Sequence, residues 1–134
     1  MAEPQREELR VESKRGILVR VLDQSQRSER ERAFEEIRGL ATTAGVLILD
    51  EVLQVRPRPH PATCVGSGKV EEIKQLIEVH EAQLVVFDNN LTPSQSQNLE
   101  RELDTIIVDR SEVILDIFAT RAKTYEAKLQ VELA

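Results

Sequence analysis

The sequence predicts an α/β fold: a four-stranded, mainly parallel sheet with helices on both faces, followed by a long C-terminal helix. Two observations predict it. Short β-branched runs alternate with segments whose apolar residues recur three and four apart, the order that builds parallel sheets joined by crossover helices. Right-handed crossovers then put helices on both faces. Residues 111–134 hold neither glycine nor proline and carry one sustained helical pattern.

Met1 to Arg15 is a charged lead-in, expected to fray as a tail. Residues 16–109 are the α/β unit. Gly16 to Leu22 is an aliphatic strand, and Asp23 to Arg27 a polar loop. Ser28 with Glu31 three residues on forms a capping box, so the spacing starts a helix there. Phe34, Ile37, Leu40, Ala41 and Ala44 give that helix one buried stripe, and Gly45 supplies its left-handed stop. Val46 to Val55 is the second strand; its first four residues are apolar, which suits a strand covered on both faces.

Pro57, Pro59 and Pro61 then alternate with Arg58 and His60. Proline lacks an N–H and holds φ near −65°, so this run reads as an extended, polyproline-like crossing. A helix follows from Lys69 to about Glu81, with Val70, Ile73, Leu76 and Ile77 inward and a wet acidic face of Glu71, Glu72, Glu78 and Glu81. Leu84 to Phe87 is the third strand. Thr92-Pro93-Ser94-Gln95 is a second capping box with proline at the first helical position, opening a short helix that buries Leu99 and Leu103. Ile106 to Val108 is the fourth strand, and Asp109 with Glu112 forms a third cap.

Residues 110–134 are the first part of a helical subdomain. Leu115, Phe118, Ala122, Tyr125 and Leu129 follow 3-4-3-4 spacing, the seam of a helix pair. The pattern runs to Ala134 with no stop signal, so the expectation is a helix truncated from a two-helix, coiled-coil-like subdomain. The seam is expected to pair with a neighbouring chain or to pack back on its own sheet.

Composition sets bounds. With only four aromatic residues, aliphatic side chains must build the core. Cys64 is alone, so no intramolecular disulfide forms and a reducing cytoplasm is the simplest setting. No apolar run approaches 18 residues, and the first 15 are charged and polar, unlike a signal peptide. The net charge of −6 alone argues against a nucleic-acid partner. The excess acid lies wholly in residues 69–134, thirteen acidic groups against seven basic, so the proline crossing stays locally basic.

Gly66-Ser67-Gly68-Lys69 opens a helix and has two readings. One is a phosphate or RNA-backbone contact with Lys69 as its cation; the other is a tight turn with an exposed lysine. It is not a P-loop, which needs four residues between the glycines and a Ser or Thr after the lysine; here one residue intervenes and Val70 follows. Arg56, Arg58, His60 and Lys69 could grip phosphates or form a solvated rim. Arg121 and Lys128 lie seven apart on one side of the last helix, a further phosphate contact or a solvated face. Asp23, Asp88 and Asp109 each follow a strand, where parallel sheets bind ligands, but turn or cap roles suit them better. His60 and His80 lack metal-ligand spacing, and Cys64 lacks cues for activation.

Pro59-x-Pro61-x-Thr63-x-Val65-Gly66-x-Gly68-Lys69 resembles the signature of the N-terminal domain of HflX-type GTPases. Val86-Phe87-Asp88, Leu91-Thr92-Pro93-Ser94-Gln95, Asn98-Leu99-Glu100, Val108-Asp109-Arg110, Leu115-Asp116-Ile117-Phe118-Ala119-x-Arg121-Ala122 and Lys128 to Ala134 agree in order. The likeness departs at Cys64, where a tyrosine is common. It implies a domain that docks on the large ribosomal subunit, through rRNA, for a GTPase that splits or rescues stalled ribosomes under stress. It also implies that the last helix turns, returns as a partner helix and leads into a GTPase domain that uses GTP and Mg²⁺. The 134 residues would then hold no GTPase activity and no cofactor of their own. Two alternatives stand beside this: an ATP-binding α/β module with its own activity, and a self-association module that homodimerises through the C-terminal helix.

Overall fold

Strand β1 (Arg15–Leu22) lies inside a four-stranded sheet of order β2-β1-β3-β4, with β2 (Leu47–Val55), β3 (Leu84–Phe87) and β4 (Ile106–Asp109) all parallel to their neighbours. The computed structural model describes residues 11–133. Side chains alternate across a strand, so β1 feeds two cores. Ile17, Val19 and Val21 face α2 (Ser67–His80) and α3 (Pro93–Leu103). Leu18 faces the side packed by α1 (Glu35–Thr43) and the root of α4 (Arg110–Leu133). Every residue of β3 is buried, as a central strand covered on both faces requires.

The chain leaves β1 for β2 on one side, then crosses back to β3 on the other. The carboxyl ends of β1 and β3 therefore flank the point where the winding reverses, the usual crevice of such sheets.

Local signals set most boundaries. Gly45 has φ +91, its N–H reaches Thr42 O at 3.0 Å and Val46 N–H reaches Ala41 O at 2.9 Å, which closes α1 in a Schellman stop. A Cβ there would meet the Glu12 backbone at 3.3 Å, so only glycine suits the turn. Thr92 and Gln95 form the expected capping box of α3. Asp109 Oδ1 accepts the Glu112 N–H at 3.0 Å and caps α4.

Four expectations are corrected. Asp23, not Ser28, makes the first capping box: it closes with Gln26 over a 3₁₀ run, Gln24–Arg32, and α1 begins only at Glu35. The run buries no side chain, so no apolar stripe draws it into a longer α-helix. Strand β2 is an edge strand, not one covered on both faces; Leu47 is 53 % exposed. A register shift opposite Gly16 and Ile17 makes Leu49 the unpaired residue, and Asp50 and Glu51 follow. A bulge and charges are how edges avoid pairing with other chains. The proline crossing stays open only to Pro59. His60 and Cys64 then exchange both backbone hydrogen bonds at 2.8 Å, closing a turn, with Cys64 at φ +65. Lastly, Val11 is buried and Ser13 N–H donates to Gly45 O at 2.8 Å, so the packed structure reaches back into the expected tail. The rest of that tail lies outside the described residues. Among the described residues, no helix is long and apolar enough to cross a membrane.

Candidate functional site

The basic rim is assembled at the carboxyl end of β2. Arg56 Nε donates to Arg58 O at 3.2 Å, and a Cβ on Gly66 would lie 2.7 Å from the Arg56 guanidinium. Glycine at 66 thus lets this cation lie against the start of α2. Gly66 N–H donates to Gln54 Oε1 at 2.9 Å, while Ser67 and Gly68 are exposed at the first turn. Lys69 Nζ pairs with Glu72 Oε2 at 2.8 Å, so it is not a free cation. His60 Nδ1 accepts the Ala62 N–H at 3.1 Å. Gln95 holds the rim in place: its Oε1 accepts from Thr92 N–H at 2.9 Å and its Nε2 donates to His60 O at 2.8 Å. One buried amide therefore caps α3 and ties down the proline turn.

Arg121 and Lys128 are exposed on α4, which starts from the opposite edge strand. Three strand spacings, about 14 Å, separate the two edges. The predicted phosphate contacts therefore form two groups rather than one.

Sequence reasoning missed a second site at the β1/β3 switch point. An open cleft of 390 Å³ is lined by Arg20, Glu36, Asp88, Asn89 and Arg110, among others. Asp88 is not a turn or cap residue. Its side chain is 5 % exposed and faces Arg110 Nη1 at 3.3 Å and Arg20 Nε at 3.7 Å. Arg110 also binds Glu36 of α1. Asn89 imitates a further strand residue: its Oδ1 accepts Val21 N–H at 2.9 Å and its Nδ2 donates to Val21 O at 3.0 Å. No local motif announces this cluster, because its members come from four elements. The one available signal was an Asp directly after β3 and an Arg directly after β4.

Burial pushes the Asp88 carboxyl up from its ordinary 3.8, against the opposing pull of Arg110 and Arg20. A raised folded pKa means the native state holds that proton more tightly. The Asp88 contribution to stability is therefore full below pH 3.8 and is lost as pH rises through the folded value. Urea titrations should show wild type losing ground to Asp88→Asn as pH rises from 3.8. Wild type gaining on Asp88→Asn as pH rises would contradict this. The hydrogen bond from Arg110 holds the Glu36 carboxyl below its ordinary range.

The α4 seam does not pack back on the sheet. Val113 and Ile117 face the core, whereas Leu115, Phe118, Tyr125 and Leu129 are 42–68 % exposed and Ala122 is exposed beside them. His80 Nε2 lies 3.1 Å from Asp50 Oδ2. Cys64 is buried, and burial pushes its thiol up to about 11, so it is a structural residue rather than a nucleophile. Among the described residues, no three His, Cys, Asp or Glu side chains gather as a metal site.

Comparison with known proteins agrees with this architecture. The model of the family described as GTP-binding GTPase N-terminal matches residues 31–119. A GTPase HflX from Lacrimispora saccharolytica is 46 % identical over 127 residues, covering 95 % of this chain and 30 % of the relative. The GTPase HflX of Escherichia coli is 46 % identical over 101 residues, covering 75 % and 24 %. The chain thus spans about a third or less of the length of these relatives. In fold, it matches the structure of SsGBP in complex with GDP at a TM-score of 0.62 and 23 % identity, over 89 % of this chain and 33 % of that one. The family match over most of the chain, together with these identities, shows that it belongs to the GTP-binding GTPase N-terminal family, as the N-terminal domain of an HflX-type GTPase.

Proposed function

We propose that this domain docks an HflX-type GTPase on the large ribosomal subunit in the cytoplasm and regulates it there, in the splitting or rescue of ribosomes under stress. The family match over residues 31–119 supports its first part, an N-terminal domain of a GTPase; the docking rests on what the resemblance of the Pro59–Lys69 motif implies. The helix start Gly66–Val70 does not fit GTP and Mg²⁺ as a P-loop would. Lys69 is held by Glu72, and position 70 is a buried valine where a P-loop places its Mg²⁺-binding hydroxyl. Hydrolysis is assigned to a further domain, for which the greater length of the relatives leaves room.

The basic rim and the exposed basic side of α4 are the surfaces that would meet rRNA phosphates. Each phosphate contact adds to the salt dependence of binding. Co-sedimentation with purified large subunits tests this. Arg58→Glu with Lys69→Glu should weaken binding by about tenfold. Arg121→Glu with Lys128→Glu measures the helix separately. Unchanged binding in both double variants would remove the phosphate-contact assignment.

The ATP reading would use the switch-point cleft, but its inner arginines, Arg20 and Arg110, are already engaged by carboxylates. Equilibrium binding of labelled ATP should show no saturable site at millimolar nucleotide. A saturable site would favour that reading over docking alone.

A further inference from the structure

We propose that the switch-point cleft is a lock that aims α4: its charged side chains set the direction in which the helix leaves the α/β body. Strand β4 ends at Asp109 and α4 begins at Arg110, with no linker between them. Asp109 pins the pivot. Its Oδ1 accepts the Glu112 N–H at 3.0 Å and its Oδ2 the Leu91 N–H at 3.4 Å. Val113 and Ile117 of α4 pack into the core on the side of α1. They lie four apart, nearly in line along the helix axis. Such a row presses the helix down without fixing its swing across the surface.

Arg110 fixes that swing, because its guanidinium is held from two sides. Nη1 faces Asp88, directly after β3, at 3.3 Å, and Nη2 pairs with Glu36 of α1. The inner partner, Asp88, has a side chain only 5 % exposed and also faces Arg20 of β1, so the grip reaches the central strands. The outer partner, Glu36, is 68 % exposed and lines the open cleft. The lock thus has a buried half and a half that a competing charge from solvent can release. From Phe118 through Gln130 every residue of α4 is exposed, so the helix is held at its root. Position 123 lies about 20 Å along the axis from Arg110, and a swing of about 20° at the root carries it about 7 Å.

Distances between spin labels at Lys74→Cys on α2 and Lys123→Cys on α4, measured by pulsed electron paramagnetic resonance on the 134-residue chain, test the proposal. Both positions are exposed, and Cys64, 1 % exposed, stays unlabelled. The otherwise unaltered chain should give one narrow distance distribution. Asp88→Asn with Arg110→Met removes the lock without stranding a buried carboxylate, and should broaden the distribution about twofold. Glu36→Gln opens the outer half alone and should broaden it by less. Glu36 is exposed, so this variant keeps the test open where the double variant folds poorly. Val52→Ala, a core truncation on the far edge strand, should leave the distribution narrow. The proposal is overturned if both lock variants keep the original width and mean, because Val113 and Ile117 would then aim the helix alone. It is overturned equally if Val52→Ala broadens the distribution as much.

Discussion

Phe87→Ala should lower the unfolding free energy by about 3–5 kcal/mol, the range for an aromatic removed from a core that cannot collapse around the gap. Phe87 is the largest fully buried side chain and ends the most enclosed strand. It sits opposite Val19 and Asp109 in register and packs on the side covered by α2 and α3. Such a loss is a large share of the roughly 5–15 kcal/mol that holds a domain of this size together. Denaturant unfolding followed by circular dichroism measures it. Phe87→Leu, which leaves a smaller hole, should cost about 1–2 kcal/mol and keeps the comparison measurable where alanine leaves too little folded protein. Val79→Ala is the control: Val79 is exposed, and its truncation should stay within about 0.5 kcal/mol. Equal effects at 87 and 79 would contradict the assigned core.

Arg110→Met should be the most damaging change at the surface. It removes the closer cation from Asp88 and leaves a buried carboxylate with Arg20 at 3.7 Å. Stripping one partner from a buried pair costs about 3–5 kcal/mol. The retained Arg20 and the partial exposure of Arg110 bring the expectation to the low end, about 3 kcal/mol near neutral pH. The loss should shrink as pH falls, because a protonated Asp88 no longer needs a cation. Adding Asp88→Asn to Arg110→Met should recover most of the stability, since the stranded charge is gone. A loss independent of pH, and unrelieved by the second change, would mean that Arg110 acts through packing alone.

These two sites differ in how far the sequence disclosed them. Phe87 ends a four-residue apolar run before an Asp, and short apolar runs between turn signals read directly as buried strands. The Thr92–Gln95 box, the Asp109 cap and the Gly45 stop were equally legible, because each is a contact within a few residues. Ser28–Glu31 has the same spacing as Asp23–Gln26, a pair that reads from sequence as part of a polar loop. What separated them was the absence of a buried stripe after Ser28, which tertiary packing decides. The apolar start of β2 suggested a covered strand, yet strand order is non-local, and the chain placed it at the edge with a bulge. The Arg20–Asp88–Arg110–Glu36 cluster was illegible for the same reason: residues 20, 36, 88 and 110 meet only once the sheet forms. The rim residues were found by motif, but not the Arg56 guanidinium over Gly66, the Lys69–Glu72 pair or the second bond of Gln95.

The proposed docking has this domain meet the large ribosomal subunit, with hydrolysis left to a further domain. Equilibrium binding of the 134-residue chain to purified large subunits, titrated with salt, tests it most directly. Saturable binding that weakens steeply and log-linearly as salt rises is expected. Binding no tighter than to an unrelated acidic protein at low salt would contradict it.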